Sequence, residues 1–154
     1  MNTPNTPSDE ILLRKRWMSV LSRALPKDVE QAWEETPNKP GYAFLRQPQT
    51  GLAMIRGRAG ATGEAFNLGE MTMTRASVRL DSGTVGHGYV AGRRPRHAEL
   101  CALFDALAQE PGRQDEVLAR VVEPLETMAS GRRENQRRQT NATKVEFFTM
   151  VRGD

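Results

Sequence analysis

The sequence MTMTRASVRLDSGTVGHGYVA, residues 71–91, decides the fold. Its first ten residues alternate between two faces, as the side chains of a strand do. One face is uncharged and consists of Thr72, Thr74, Ala76, Val78 and Leu80. The other consists of Met73, Arg75, Ser77 and Arg79. Asp-Ser-Gly at 81–83 is a hairpin turn signal, so residues 84–91 are predicted to return as an antiparallel strand.

Upstream of this hairpin, the pattern predicts two further strands, at 41–47 and 51–58. Pro48 begins the turn expected at 48–50, and a glycine-rich connection at 57–69 leads into the hairpin. The middle of the chain is therefore predicted to be an antiparallel meander of about four strands.

Helical spacing precedes and follows the predicted sheet. Ser8 is predicted to cap a helix over 9–24, Pro26 to begin a second one, and 95–110 and 113–128 to form two more. Pro124 is expected to kink or split the last. The fold class is α+β: N-terminal helices, a central antiparallel sheet of about four strands, C-terminal helices and an extended apolar tail. We predict a disordered leader at 1–8, a single domain at 9–143 and a C-terminal interaction segment at 144–154.

Composition narrows the class of protein. The 154 residues are 38% hydrophobic and 27% charged, with a net charge of +3 and one cysteine. The first ten residues hold no apolar signal core, and no stretch approaches the roughly 20 apolar residues that span a bilayer. We expect a cytoplasmic protein without a membrane partner.

Arginines on the predicted sheet are the sharpest functional candidates. Adjacent strands are expected to bring Arg56, Arg58, Arg75 and Arg79 into one patch that contacts a polyphosphate or an acidic partner surface. The alternative is a solvated sheet face. His87 lies between two glycines that permit close approach, so it is a further candidate for partner or anion contact, although a packed strand histidine is the simpler interpretation.

Other motifs are weaker. The glycine-rich connection 57–69 resembles a phosphate cradle but lacks the Gly-Lys-Ser/Thr ending of a P-loop, so a hairpin loop is favoured. His97 and Cys101 have the spacing of a helical metal or nucleophile pair, but too few ligands exist for zinc, and a buried thiol is favoured. No convergent acid–base set is found. We therefore predict no catalytic, metal-binding or cofactor-binding residue.

The C-terminal region offers two interaction candidates. The arginine-rich run 132–138 suits nucleic acid, but it lacks interleaved aromatic residues, so a solvated helix is favoured and no nucleic-acid partner is expected. The apolar end contains Phe147 and Phe148, with Arg152 beside them. Exposure of two phenyl rings to water is unfavourable, so we predict that this segment is buried by docking. It could dock on the sheet of its own chain, but we favour its addition as a strand to a partner.

Several segments together resemble the PhnG family. They are RWMSVL at 16–21, the strand and loop at 50–58 and 60–64, the pieces 67–70, 72–76, 78–80, 88–93, 97–99 and 105–107, and above all TKVEFFTMVRG at 143–153. The resemblance runs from about residue 14 to the end. Ala61 departs from it, since the family loop often has glycine there.

The resemblance implies a non-catalytic small subunit of the alpha-D-ribose 1-methylphosphonate 5-triphosphate synthase, in the carbon–phosphorus lyase core complex of phosphonate catabolism. Its implied partners are the H-, I- and J-type subunits. The complex uses MgATP, whose adenine is displaced by an alkylphosphonate on the I-type subunit. An iron–sulfur cluster with S-adenosylmethionine belongs to the J-type subunit, and this chain is expected to bind no cofactor. Two alternatives remain open: an independent phosphate- or nucleotide-binding module, and a nucleic-acid-binding protein.

Overall fold

A computed structural model describes residues 7–60 and 62–150 of the chain, with the side chains of 8–60 and 62–143. Helices precede and follow an antiparallel sheet, as predicted. The elements are α1 (Pro7–Arg23), α2 (Pro26–Glu35), β1 (Tyr42–Arg58), β2 (Ala65–Leu80), β3 (Val85–Ala91), α3 (Pro95–Gln109), α4 (Gln114–Val117), a π-helix (Leu118–Val122) and α5 (Glu123–Met150).

The sheet has three strands in the order β1-β2-β3, where about four were predicted. The two strands predicted at 41–47 and 51–58 are one continuous strand, because Pro48 does not form a turn. Register shifts between Phe44 and Arg46 and between Arg46 and Gln49 accommodate the residues of β1 that have no partner opposite them in β2. Proline is tolerated here because β1 is an edge strand and need not donate a hydrogen bond at every residue.

The hydrophobic core lies between the sheet and α3. Ala76, Val78 and Leu80 of β2 are buried, as the alternation predicted, and they face a helix that is buried along most of its length. α3 packs directly against β3 at Gly86 and Gly88, which have no side chain. The approach is so close that a Cβ at Gly88 would clash with the carbonyl oxygen of Ala98. The glycines beside His87 therefore serve helix packing rather than access for a ligand.

The predicted split at Pro124 is confirmed, and it takes the form of a π-helix. The N–H of Glu123 donates to the carbonyl of Leu118, which is the wider spacing of a π-turn. Proline has no N–H and its ring crowds the preceding turn, so a regular α-helix cannot run through this point. Leu125 remains buried beyond it, which anchors the start of α5 on the core.

Both ends of the chain differ from the prediction where they are described. α1 begins at Pro7 rather than after a Ser8 cap, consistent with the preference for proline in a first helical turn. α5 continues to Met150, so the backbone of 144–150 is helical where we predicted an extended tail. Residues 132–150 contain no proline or glycine that would end the helix. The leader residues 1–6 and the terminal residues 151–154 lie outside the described residues.

In the part of the chain that the structure describes, no helix is long and apolar enough to cross a bilayer.

Candidate interaction surface

The face of the sheet opposite α3 carries the charged residues of β2. The strand pairing aligns them with residues of β1 and β3 in cross-strand rows. These rows are Ala43–Arg79–Val85, Arg46–Ser77–His87, Gln49–Arg75–Tyr89 and Gly51–Met73–Ala91. Arg46, Arg75 and Arg79 are exposed. We call these four rows the open basic face.

His87 is held at the β3 edge of this face. Its Nδ1 lies 2.8 Å from the Oγ of Ser77, the neighbouring residue in the same row. Its backbone N–H donates to Oδ2 of Asp105 at 2.9 Å, which ties the free edge of β3 to α3. The predicted site residue His87 is thus half-buried and fixed at two points, with its ring next to the arginines.

Asp105 organises the edge of the sheet from the buried side of α3. Its carboxylate is fully buried and accepts hydrogen bonds from Arg14 Nε at 3.1 Å, Arg14 Nη2 at 2.8 Å and Trp17 Nε1 at 2.9 Å. The hydrogen bond to Asp105 raises the pKa of the Arg14 guanidinium, against the opposing effect of desolvation. One carboxylate therefore joins α1, α3 and β3. Sequence reasoning missed this role, although a lone acid in the apolar stretch LCALFDALA was a signal for it.

The four-arginine patch predicted from the sequence does not form. Arg56 pairs with Asn67, whereas Arg75 pairs with Gln49, so the two pairs are separated by eight residues of β2 (67 to 75). At the rise of an extended strand this is about 26 Å. The structure instead brings Arg46 beside Arg75 and Arg79. The cause is the continuity of β1, which moves residues 52–58 past the end of β3.

Arg56 and Arg58 lie on a two-stranded ribbon formed by residues 52–58 and 65–72. β3 pairs with β2 only from Met73 to Arg79, so the ribbon extends beyond the third strand. It carries exposed apolar side chains, with exposed fractions of 71% for Leu52 and 62% for Leu68. The glycine-rich connection predicted at 57–69 is mostly strand, and only residues 59–64 join β1 to β2. This argues against the phosphate cradle that we considered.

The His97–Cys101 pair is structural. His97 Nε2 donates to the carbonyl of Leu21 at 2.8 Å, and burial is the main factor that lowers the pKa of His97. Cys101 is 4% exposed, and burial raises the pKa of its thiol to about 12. Within the described residues, no cluster of three or more His, Cys, Asp or Glu is suited to hold a metal ion. The prediction of a buried thiol is confirmed.

The C-terminal candidates are only partly described. Arg132 forms an ion pair with Asp28 and Arg138 with Glu134, each at 3.4 Å, so part of the arginine-rich run is neutralised within the chain. Phe147 and Phe148 lie in the helical backbone of α5, but their side chains are outside the described residues, as is all of Arg152.

Comparison with known proteins identifies the family. A family model described as "Phosphonate metabolism protein PhnG" matches residues 13–153. The chain belongs to the PhnG family. A curated relative from Rhizobium meliloti (strain 1021), named "Alpha-D-ribose 1-methylphosphonate 5-triphosphate synthase subunit PhnG", is 40% identical over 155 residues. That alignment covers 100% of this chain and 99% of the relative. The predicted resemblance, from about residue 14 onward, is confirmed.

Two of the segments that resemble PhnG meet in the structure. The segment 16–21 lies in α1 and contains Trp17, and the segment 105–107 lies in α3 and begins with Asp105. The indole N–H of Trp17 donates to Asp105, so these PhnG-like pieces form one contact across the core. In this PhnG chain, the contact holds α1 against α3, with Arg14 and Met18 of α1 close to His87 and Tyr89 of β3.

Proposed function

We propose that the chain is a non-catalytic subunit of the alpha-D-ribose 1-methylphosphonate 5-triphosphate synthase, within the carbon–phosphorus lyase core complex. The observation that carries this proposal is its 40% identity, over essentially the full length of both proteins, to a relative named as the PhnG subunit of that synthase. The complex displaces adenine from MgATP with an alkylphosphonate during organic phosphonate catabolism. The transferase activity belongs to the complex, which works in the cytoplasm.

The described side chains include no convergent catalytic set, which favours the role of a non-catalytic subunit. The buried carboxylate of Asp105 is occupied by Arg14, Trp17 and the backbone of β3. The Cys101 thiol is buried and remains protonated at neutral pH, so it is a poor nucleophile. We therefore assign the displacement chemistry to an I-type partner, and the iron–sulfur cluster with S-adenosylmethionine to a J-type partner. An H-type subunit completes the set of partners.

Exposed apolar surface on the ribbon also supports a subunit role. Large apolar side chains such as Met54, 59% exposed, and Phe66, 46% exposed, lie on a two-stranded extension. A two-stranded ribbon is only marginally stable in water, and contiguous apolar surface on a soluble protein is typical of an interaction site. Burial of these side chains against another subunit would stabilise the ribbon, so we assign it to assembly.

A pull-down from phosphate-starved cells tests the proposal. The tagged full-length chain should recover H-, I- and J-type subunits, identified by mass spectrometry, and the tag alone should recover none. Recovery of the chain without these subunits, from cells in which they are expressed, would contradict the proposed function.

A further inference from the structure

We propose that the open basic face is the docking surface for a carboxylate-bearing segment of another subunit, an inference that rests on the proposed function. The surface is a sheet face whose four rows contain no carboxylate side chain. Arg46, Arg75 and Arg79 are the cations, and His87 lies on β3 in the row between those of Arg75 and Arg79.

The charge distribution on the face calls for an anionic partner. All twelve positions of its four rows are described, and none is Asp or Glu. Arg46 lies diagonally across from both Arg75 and Arg79, at the roughly 7–8 Å expected for such neighbours, where like charges destabilise a sheet. None of these three arginines has a carboxylate partner among the described residues. A partner that supplies carboxylates would relieve this repulsion.

Arginines on the helices of the same chain show the contrast. Arg14 pairs with Asp105, Arg16 with Glu126, and Arg96 with Glu30. The chain thus satisfies many of its arginines internally, and those of the open basic face are available for an external carboxylate. Arginine is well suited to this task because its planar guanidinium binds a carboxylate through two parallel hydrogen bonds.

The shape and composition of the face favour a protein segment over a small anion. Small-molecule sites are concave and mostly apolar, whereas this surface is the broad side of three strands. Tyr89 is 52% exposed, and Met73 lies in the next row. Tyr, Met and Arg are enriched at the centres of protein interfaces. Beside them, Gln49, Met73, Arg75 and Tyr89 line a hollow of about 290 Å³, which offers room for one anchoring side chain of the partner.

The spacing of the arginines indicates how far apart the carboxylates of the partner segment should lie. Arg75 and Arg79 are four residues apart on one strand, about 13 Å, and Arg46 lies between them on the neighbouring strand. Acidic side chains distributed over about two turns of a helix, or over about five residues of a strand, would span this distance. The expected partner segment therefore carries two or three carboxylates over that length.

Charge reversal in the co-expressed complex tests the docking surface. The variant Arg75→Glu/Arg79→Glu should lower the affinity for the partner subunits about tenfold or more, because it places like charges together across the interface. The matched control Lys27→Glu/Arg133→Glu changes the net charge equally at exposed positions on the helices and should leave affinity unchanged. Higher salt should weaken the unchanged complex more than it weakens the residual binding of the double variant.

Oxidative footprinting of the unchanged chain gives a second measurement that does not depend on a variant folding. Met73 and Tyr89 should become protected in the complex, and Met128, which is 48% exposed on α5, serves as the reference. Equal oxidation of Met73 and Tyr89 with and without partners, or equal affinity of both double variants, would overturn the docking surface and leave the proposed function standing. Failure of the unchanged chain to bind any subunit would overturn both. Tight binding of inorganic triphosphate by the isolated chain, lost in Arg75→Glu/Arg79→Glu, would assign the face to a small anion instead.

Discussion

Replacing Asp105 with asparagine removes the charge from a fully buried carboxylate that joins α1, α3 and β3. The substitution keeps the size of the side chain and one acceptor oxygen. That oxygen can still accept from Trp17 Nε1 and Arg14 Nε, which both bond Oδ1. The new NH₂ group then faces Arg14 Nη2 and the N–H of His87, which lose their acceptor Oδ2. Gln109 Nε2 also donates to Oδ2, at 3.3 Å, but it keeps the backbone carbonyls of Val85 and Asp105 as acceptors.

The magnitude follows from the two donors, Arg14 Nη2 and the N–H of His87, which are left without an acceptor. A buried donor left without an acceptor costs about 1–3 kcal/mol, so two of them cost about 2–6 kcal/mol. The Arg14 side chain is 37% exposed, so water can replace part of its lost contact, which places the expected loss toward the lower end of this range. Since a domain of this kind is stable by about 5–15 kcal/mol, Asp105→Asn should lower the unfolding free energy by a large fraction of the total.

The chain offers a matched control in a second ion pair of α1. Arg16 binds Glu126 with the same two-bond geometry, at 2.8 and 2.7 Å, but their side chains are 42% and 35% exposed. Breaking an exposed pair costs about 0–1 kcal/mol, so Glu126→Gln should change stability little. Urea unfolding followed by far-UV circular dichroism measures both variants. Equal losses, or a loss below about 1 kcal/mol for Asp105→Asn, would refute the assigned role of Asp105.

Three further predictions concern other parts of the chain. Burial lowers the pKa of His97 in the folded chain, so the neutral side chain should contribute its full stabilisation above about pH 6.5. This contribution should decrease as the pH falls from there toward the folded-state pKa. Urea midpoints measured at several pH values should show the decrease, and His97→Gln should make it smaller. Cys101 should resist iodoacetamide at pH 8 in the native chain and react after unfolding, since its pKa is raised to about 12; rapid native labelling would contradict its burial. Deleting residues 145–154 should abolish assembly with the other subunits and leave the circular dichroism and elution volume of the isolated chain largely unchanged; a truncated chain that still co-purifies, or that unfolds, would disprove the interaction segment.

Local patterns predicted most of the helices and strands of this fold. The two-residue alternation at 71–80 identified β2 and its buried face, because side-chain direction along a strand depends only on neighbouring residues. Pro26 and Pro95 marked helix starts for a similar reason, since proline acts on the local backbone. The strand boundary at Pro48 was wrong because proline is compatible with both a turn and an edge strand, and only the pairing with β2 distinguishes them.

The candidate site was harder to predict, since it depends on which strand residues lie opposite one another. Arg75 and Arg79 were correctly assigned to one face, but Arg56 and Arg58 were placed beside them without knowledge of the register. A change in the pairing register moves a side chain to a different position opposite the neighbouring strand, and the sequence around that side chain gives no sign of it. Asp105 shows the same limit, because its ion pair with Arg14 spans 91 residues of sequence and no periodicity connects the two.

Adenine release from ATP tests the central claim most directly. The isolated chain, incubated with MgATP and methylphosphonate, should release no adenine. The other synthase subunits should release it when this chain is added, and more slowly or not at all without it. Adenine release by the isolated chain, abolished by replacing His87 or an arginine of the open basic face, would show that the chain is itself an enzyme and would contradict its assignment as a non-catalytic subunit.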